Sequence, residues 1–181
     1  MRIEIRSLLR TSFALILLLA FAGDLPAQED SAGADPADVE SIDAIIGAVY
    51  DVISGPAGAD RDWDRMRSLF PPGAHLIPSI PNPEGGYGLR FMTVEDWIEG
   101  ARGWFAENAF FEVEIHRVEE RYGHIAHAFS TYESRREAEG EPFTRGINSF
   151  QLMFDGQRWW IVNIFWQGET GSEPIPAGYL P

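Results

Sequence analysis

From Val39 to Ile53 the apolar residues return at three- and four-residue steps. Val39, Ile42, Ile45, Ile46, Val49, Tyr50 and Ile53 form one stripe, so the pattern predicts an amphipathic helix. Asp35-Pro36 supplies a capping side chain and a proline at the first helical position, and Gly55-Pro56 stops the helix. A second helix opens at Asp60, carries Trp63, Met66, Leu69 and Phe70 on one face, and ends at Pro71-Pro72. Ala74–Ile80 predicts a short strand, residues 81–88 (PNPEGGYG) a loop, and Leu89–Met92 a second short strand. Thr93 and Asp96 have capping-box spacing ahead of a third helix, whose apolar face is Val94, Trp97, Ile98, Ala101, Trp104 and Phe105.

Beyond Phe105 the period changes to two. Phe110–Arg121 and His124–Arg135 read as long strands joined at Tyr122-Gly123, and Glu137–Glu141 as a polar loop. Phe143–Phe154 and Arg158–Gln167 follow, joined by Asp155-Gly156, a strong hairpin signal. The segment from Gly168 is rich in glycine and proline and is expected to lie along the surface. Helices first and strands afterwards make an α+β fold.

The N-terminus has a different pattern. Arg2, Arg6 and Arg10 precede the apolar run Phe13–Ala22, and Leu25-Pro26-Ala27 offers a small residue before Gln28. That order is the one a secretory signal peptide has, and the run is shorter than the roughly 20 residues that span a bilayer. The chain therefore divides into a signal peptide (1–27), an acidic leader expected to be disordered (28–37), one domain (38–167) and a tail (168–181). The expected product is exported, periplasmic or secreted, with no stable membrane insertion after cleavage.

Composition narrows the chemistry. The 181 residues carry 28 Asp+Glu against 14 basic residues, all of them Arg, for a formal net charge of −14. Such a surface repels a phosphate backbone, so nucleic acid is excluded as the expected partner. Without Lys there is no Schiff-base chemistry, and without Cys there is no disulfide, thiolate metal site or cysteine nucleophile.

The element order, together with Asp62-Trp63-Asp64, Leu69-Phe70, the strand start at Gly123–Ala128 and the hairpin Asp155–Val162, resembles the nuclear transport factor 2-like superfamily. That superfamily includes SnoaL-like polyketide cyclases and ketosteroid isomerases, and the resemblance spans Asp38 to Gln167. It implies a cone-shaped, curved, mixed but mostly antiparallel sheet wrapped around three N-terminal helices, with a pocket inside and dimers pairing through the sheet. It also places Tyr50 at the tyrosine position of the isomerases. Their two acids are missing: residues 71–83 hold no Asp or Glu, and neither does the strand Phe143–Phe154. Proton transfer near the first strand would then fall to His75, the candidate base, with Tyr50 beside it.

Other residues bear on a site. If Tyr122-Gly123 is the turn, His116, His127, Glu112 and Glu114 share one sheet side, while Phe111, Val113, Ile115, Ala126, Ala128, Ser130 and Tyr132 form the core side. Two His and two Glu are metal-ligand chemistry, but no local spacing fixes them, so they are assigned to the outer face and neither metal nor cofactor is expected. Trp63, Trp104, Trp166 and Asn148 are the expected ligand-binding set, with Asn148 and Asn163 on neighbouring strands. Adjacent Trp159 and Trp160 point to opposite faces, which calls for cover on both and motivates a homodimer.

The leading expectation is an exported domain binding a small apolar molecule in a Trp-rich pocket. One alternative is a dehydratase, cyclase or isomerase using His75, and another is a dimeric interaction module without a ligand. A cavity with one titratable group favours the enzyme, one with none favours binding, and a filled core favours the module. Export is checked by N-terminal sequencing of the mature protein from a secreting host. The expected first residue is Gln28, or Gly23 if cleavage follows Ala22, in a soluble exported fraction; Met1 retained in membranes contradicts it.

Overall fold

The computed structural model describes residues 33–181, so the expected signal peptide and the first half of the leader (28–32) lie outside the described residues, while Pro36 and Ala37, assigned to that leader, open a helix. The elements are α1 (Pro36–Val39), α2 (Ile42–Ile53), α3 (Trp63–Ser68), β1 (His75–Pro81), β2 (Tyr87–Leu89), β3 (Met92–Thr93), α4 (Val94–Glu107), β4 (Phe111–Tyr122), β5 (Ile125–Arg135), β6 (Pro142–Phe154) and β7 (Trp159–Gly168), then a 3₁₀ turn at Ala177–Tyr179. The four long strands and the two C-terminal helices of the helical set stand where the periodicity predicts them. Three details differ. The first predicted helix breaks at Glu40-Ser41, because the Ser41 side chain accepts from the Ala44 amide (3.0 Å) and restarts it as α2. The predicted loop 81–88 contributes Tyr87 and Gly88 to β2, which pairs with the end of β1. The predicted strand Leu89–Met92 is interrupted at Arg90-Phe91, so Leu89 ends β2 and Met92 opens β3.

All pairings are antiparallel except one. The order is β2-β1-β7-β6-β5-β4, with β3 also on β1, and β1 runs parallel to β7. The result is the expected α+β architecture, a mostly antiparallel curved sheet around the helices. Helix α2 lies against it, with Ile42, Ile45, Ile46, Ala48, Val49, Tyr50, Val52 and Ile53 all buried and Asp43 and Asp51 outward. No helix among the described residues is long and apolar enough to cross a membrane.

The β4–β5 hairpin turns one residue later than predicted, at Gly123-His124, with Tyr122 opposite Ile125. More consequential is a bulge between Glu114 and His116, which leaves Ile115 without a partner. One extra residue inverts every side chain beyond it. Ala126, Ala128, Ser130, Tyr132 and Ser134 form the buried side of β5, so Glu114 opposite Tyr132 and Glu112 opposite Ser134 face inward. Phe111 and Val113 turn to the other side. The predicted grouping of two Glu with two His is thereby undone: His116, opposite Thr131, lies on the outer face, as does His127, whose Nε2 meets Ser149 Oγ at 3.0 Å.

A second bulge, at Val162, separates the two asparagines. Asn148 pairs with Trp166 on the inner side, whereas Asn163 pairs with Gln151 and His75 on the outer side. Trp159 joins the core, under the guanidinium of Arg121 (4.9 Å). Trp160 is covered by its own chain: Arg158 lies 3.7 Å over its ring, and its Nε1 donates to Asp155 at 2.6 Å. That tryptophan therefore asks for no partner subunit. The tail does lie on the surface, where Tyr179 packs on Phe129 and its carbonyl accepts from Thr131 (2.6 Å) on the outer face.

The end of α2 is held by Arg61, only 7% exposed. Its guanidinium donates to the carbonyls of Ile53 (3.1 Å), Gly55 (2.8 Å) and Ala59 (2.9 Å) and sits 5.0 Å over the Phe105 ring. Gly55 has φ +155°, and a Cβ there would come within 2.7 Å of the guanidinium, so the glycine makes the approach feasible. Arg61→Ala strands these carbonyls and is expected to cost about 3 kcal/mol. A lower urea midpoint at unchanged slope is the readout; an unchanged midpoint would show that water replaces the arginine.

Candidate functional site

A cavity of about 480 Å³ opens between the concave side of the sheet and the helices. Val49 and Ile53 of α2 and Met66 of α3 form one wall. Trp97, Ala101, Trp104 and Phe105 of α4 form another, and Leu76, Met92, Phe110, Ile164 and Trp166 complete the apolar lining. The periodic stripes recognised in the sequence put these residues there, since each helix and strand turns its apolar side to the same interior.

The polar groups are few and grouped. Glu112, Tyr132 and Asn148 come from three adjacent strands, and Arg90 and Asp96 complete the charged lining. Ser134 Oγ donates to Glu112 Oε2 at 2.8 Å, and Asn148 Nδ2 approaches Oε1 at 3.4 Å. The same amide donates to the Tyr50 hydroxyl (3.0 Å), which pairs with Ser130 Oγ (2.7 Å). Glu112 retains some accessible surface because it lines the cavity, but its carboxyl is enclosed by protein. Burial raises its pKa to about 7, against the lowering effect of the hydrogen bonds from Ser134 and Asn148. Burial, with the Glu112 charge nearby, also pushes the hydroxyls of Tyr50 and Tyr132 upward, so both are neutral.

Tyr132 lies across Gly146, where a Cβ would overlap its hydroxyl and the Gln167 carbonyl. The glycine is thus a seat for the ring. Tyr132 lines the cavity, and none of the hydrogen bonds among the described residues engages its hydroxyl. An acid that is half-ionised near neutrality, beside a neutral hydroxyl donor, can accept or deliver a proton and polarise a carbonyl.

The expected site residues divide. Trp104, Trp166 and Asn148 line the cavity. Trp63 does not: it is stacked on Phe105 (6.1 Å between centroids) and faces a separate surface cleft. Tyr50 stands one hydrogen bond behind the lining, through Asn148. His75 is turned away, because Leu76, its neighbour in β1, occupies the inward position and strand side chains alternate. Its ring instead meets Phe91 edge-on at 6.2 Å. The carboxyl in the cavity comes from β4, a strand assigned the opposite orientation. A signal for it exists: the apolar positions run Phe111, Val113, Ile115 and then shift phase to Val118 and Tyr122, as an inserted residue requires.

No family model matches the sequence, and no curated protein matches it. Solved structures do match its shape. A nuclear transport factor 2-like protein of unknown function from Pseudomonas putida KT2440 is 10% identical, with a TM-score of 0.55, over 82% of this chain and all of that one. The fold is nuclear transport factor 2-like. A protein of unknown function with a cystatin-like fold from Nostoc punctiforme PCC 73102 is 8% identical, with a TM-score of 0.54, over 70% of this chain and 87% of that one. At these identities the nuclear transport factor 2-like cone is shared, and the chemistry rests on this chain's own residues.

The raised acid has a measurable consequence. A carboxyl whose folded pKa lies above its ordinary value of 4.5 binds its proton more tightly in the folded state. Its stabilising effect is complete below about pH 4.5 and is lost as pH rises through about 7. Glu112→Gln keeps hydrogen bonding without the charge, so its stability relative to the parent should rise from pH 4.5 to pH 8 by about 3 kcal/mol. Urea melts at the two pH values provide the comparison, and a pH-independent difference would rule out a buried titrating carboxyl.

Proposed function

We propose that this protein is an exported domain that binds a small, mostly apolar molecule and exchanges a proton with it through Glu112. The carrying observation is a single enclosed carboxyl, poised near pH 7, in the wall of a mostly apolar cavity. Apolar binding alone gains nothing from such a group, which costs stability whenever it ionises. Isomerisation, dehydration and cyclisation all need a proton moved at a carbon or oxygen of an apolar substrate. Glu112 would act as acid or base, held by Ser134 and Asn148. The Tyr132 hydroxyl would bind the oxygen on which charge develops. His75 has no part in this reading.

Binding without chemistry is the second reading, favoured by the hydrogen bonds from Ser134 and Asn148 that occupy the carboxylate. Molecules retained on the purified protein from a cell extract, identified by mass spectrometry, supply the compound to assay. If it is turned over, Glu112→Gln should lower kcat by about 10²–10⁴-fold with affinity nearly intact, and His75→Gln should leave the rate unchanged. Retention and affinity without turnover would leave the binding reading standing alone; loss of rate in His75→Gln would return the base to β1.

A further inference from the structure

The cavity lining has two charged groups besides Glu112. Asp96 is already committed: its Oδ2 accepts from the Thr93 amide (3.0 Å) and the Thr93 hydroxyl (2.7 Å), closing the capping box of α4. Arg90, in the link between β2 and β3, donates no hydrogen bond of its own among the described residues. Its charge nevertheless lies near enough to add to the Thr93 hydrogen bonds in holding the Asp96 carboxyl below its ordinary pKa. The other ten described arginines each bind a carboxylate, donate to a carbonyl or lie over an aromatic ring. Arg65, Arg67, Arg117, Arg135 and Arg145 pair with acids. Arg61, Arg102, Arg121, Arg136 and Arg158 lie over rings. Among the described residues Arg90 alone has no such partner. In a chain of net charge −14, where carboxylates outnumber guanidinium groups two to one, that is the least expected place for an uncommitted cation. It is largely exposed and shares the cavity lining with the apolar side chains of Met92, Trp97 and Trp104, so the lining sets a planar cation beside apolar surface.

We infer that Arg90 is a specificity residue that holds an anionic group of the ligand at the mouth of the cavity. The ligand class is then an amphiphile, with an apolar body among Met66, Trp97, Trp104 and Trp166 and a carboxylate-like head on the guanidinium. A guanidinium suits such a head because it offers two parallel N–H donors to one planar anion. The overall negative field repels anions at large, and the local cation offsets that repulsion at the mouth. This inference rests on the cavity being the ligand site.

Two fluorescent probes with the same ring system separate the two claims. 1-Anilinonaphthalene-8-sulfonate carries an anionic group, and N-phenyl-1-naphthylamine lacks it. With the mature full-length protein, Arg90→Gln should weaken the sulfonate by about 5–20-fold and change the neutral probe by less than about twofold. Salt should weaken sulfonate binding to the parent and hardly affect Arg90→Gln. Ala101→Trp, which fills the cavity, should abolish both. Equal sulfonate affinity in parent and Arg90→Gln, with the neutral probe bound, overturns the role of Arg90 alone. Failure of both probes to bind the parent, or their survival in a folded Ala101→Trp protein, overturns the cavity as the ligand site and this inference with it.

Discussion

A residue without a cross-strand partner sets the character of this interior. Because Ile115 is bulged out of the β4–β5 ladder, the N-terminal half of β4 presents its charged positions to the concave side and its apolar positions to the other. Twelve residues of alternating sequence would otherwise have put Phe111 and Val113 inside and left the sheet side of the cavity with no acid. Bulges re-aim side chains for the cost of an interrupted ladder. Here the re-aiming delivers one carboxyl to the cavity and brings Glu114 to Arg117 (2.6 Å), which also reaches Asp43 on α2 at 2.6 Å.

Bringing a carboxyl inside is tolerable because the neighbouring strands supply donors. Ser134 of β5 and Asn148 of β6 sit at positions that alternation alone makes inward-facing, and Ser130 and Tyr50 continue the chain of hydrogen bonds into the core. A fully connected network of this kind fixes the orientation of each member, whereas a broken one would be worse than apolar packing. Burial keeps Tyr50 neutral against the lowering effect of these hydrogen bonds, and its hydroxyl is a structural relay that positions Asn148, which in turn borders the cavity.

Much of this architecture is legible in the residues. The stripes of α2 and α4, the capping box at Thr93 and the hairpin at Asp155-Gly156 are local signals, and local physics decides them. So is the tryptophan-rich wall, of which Trp104 and Trp166 are members. What the residues conceal is parity. Strand faces depend on counting in twos, and one bulge, invisible to propensity, reverses the count. That is why plain alternation puts Glu112 outside, and why the bulge at Val162 parts Asn163 from Asn148. Trp63 misled for another reason: three helical aromatics share one layer, and only packing decides which of them, here Trp97 and Trp104, stands in front of Phe105. Cover for Trp160 came from Arg158 and Asp155, whose side chains can fold back over a ring two or five residues away, a possibility that strand alternation does not encode.

The single parallel pairing has a kinetic meaning. Strands β4 to β7 form a meander in which every partner is the next strand in the chain, joined by hairpins, but β1 reaches its place only beside β7, with His75 opposite Asn163. Closing so long a loop carries a large entropic toll, and such contacts are made late. Since β1, β3 and α4 provide one side of the cavity and the meander the other, no enclosed space exists until the last strand has been synthesised and β1 has docked on it. The order of assembly thus makes the cavity a property of the finished chain, and a truncated or half-emerged polypeptide has no interior in which to hold a guest.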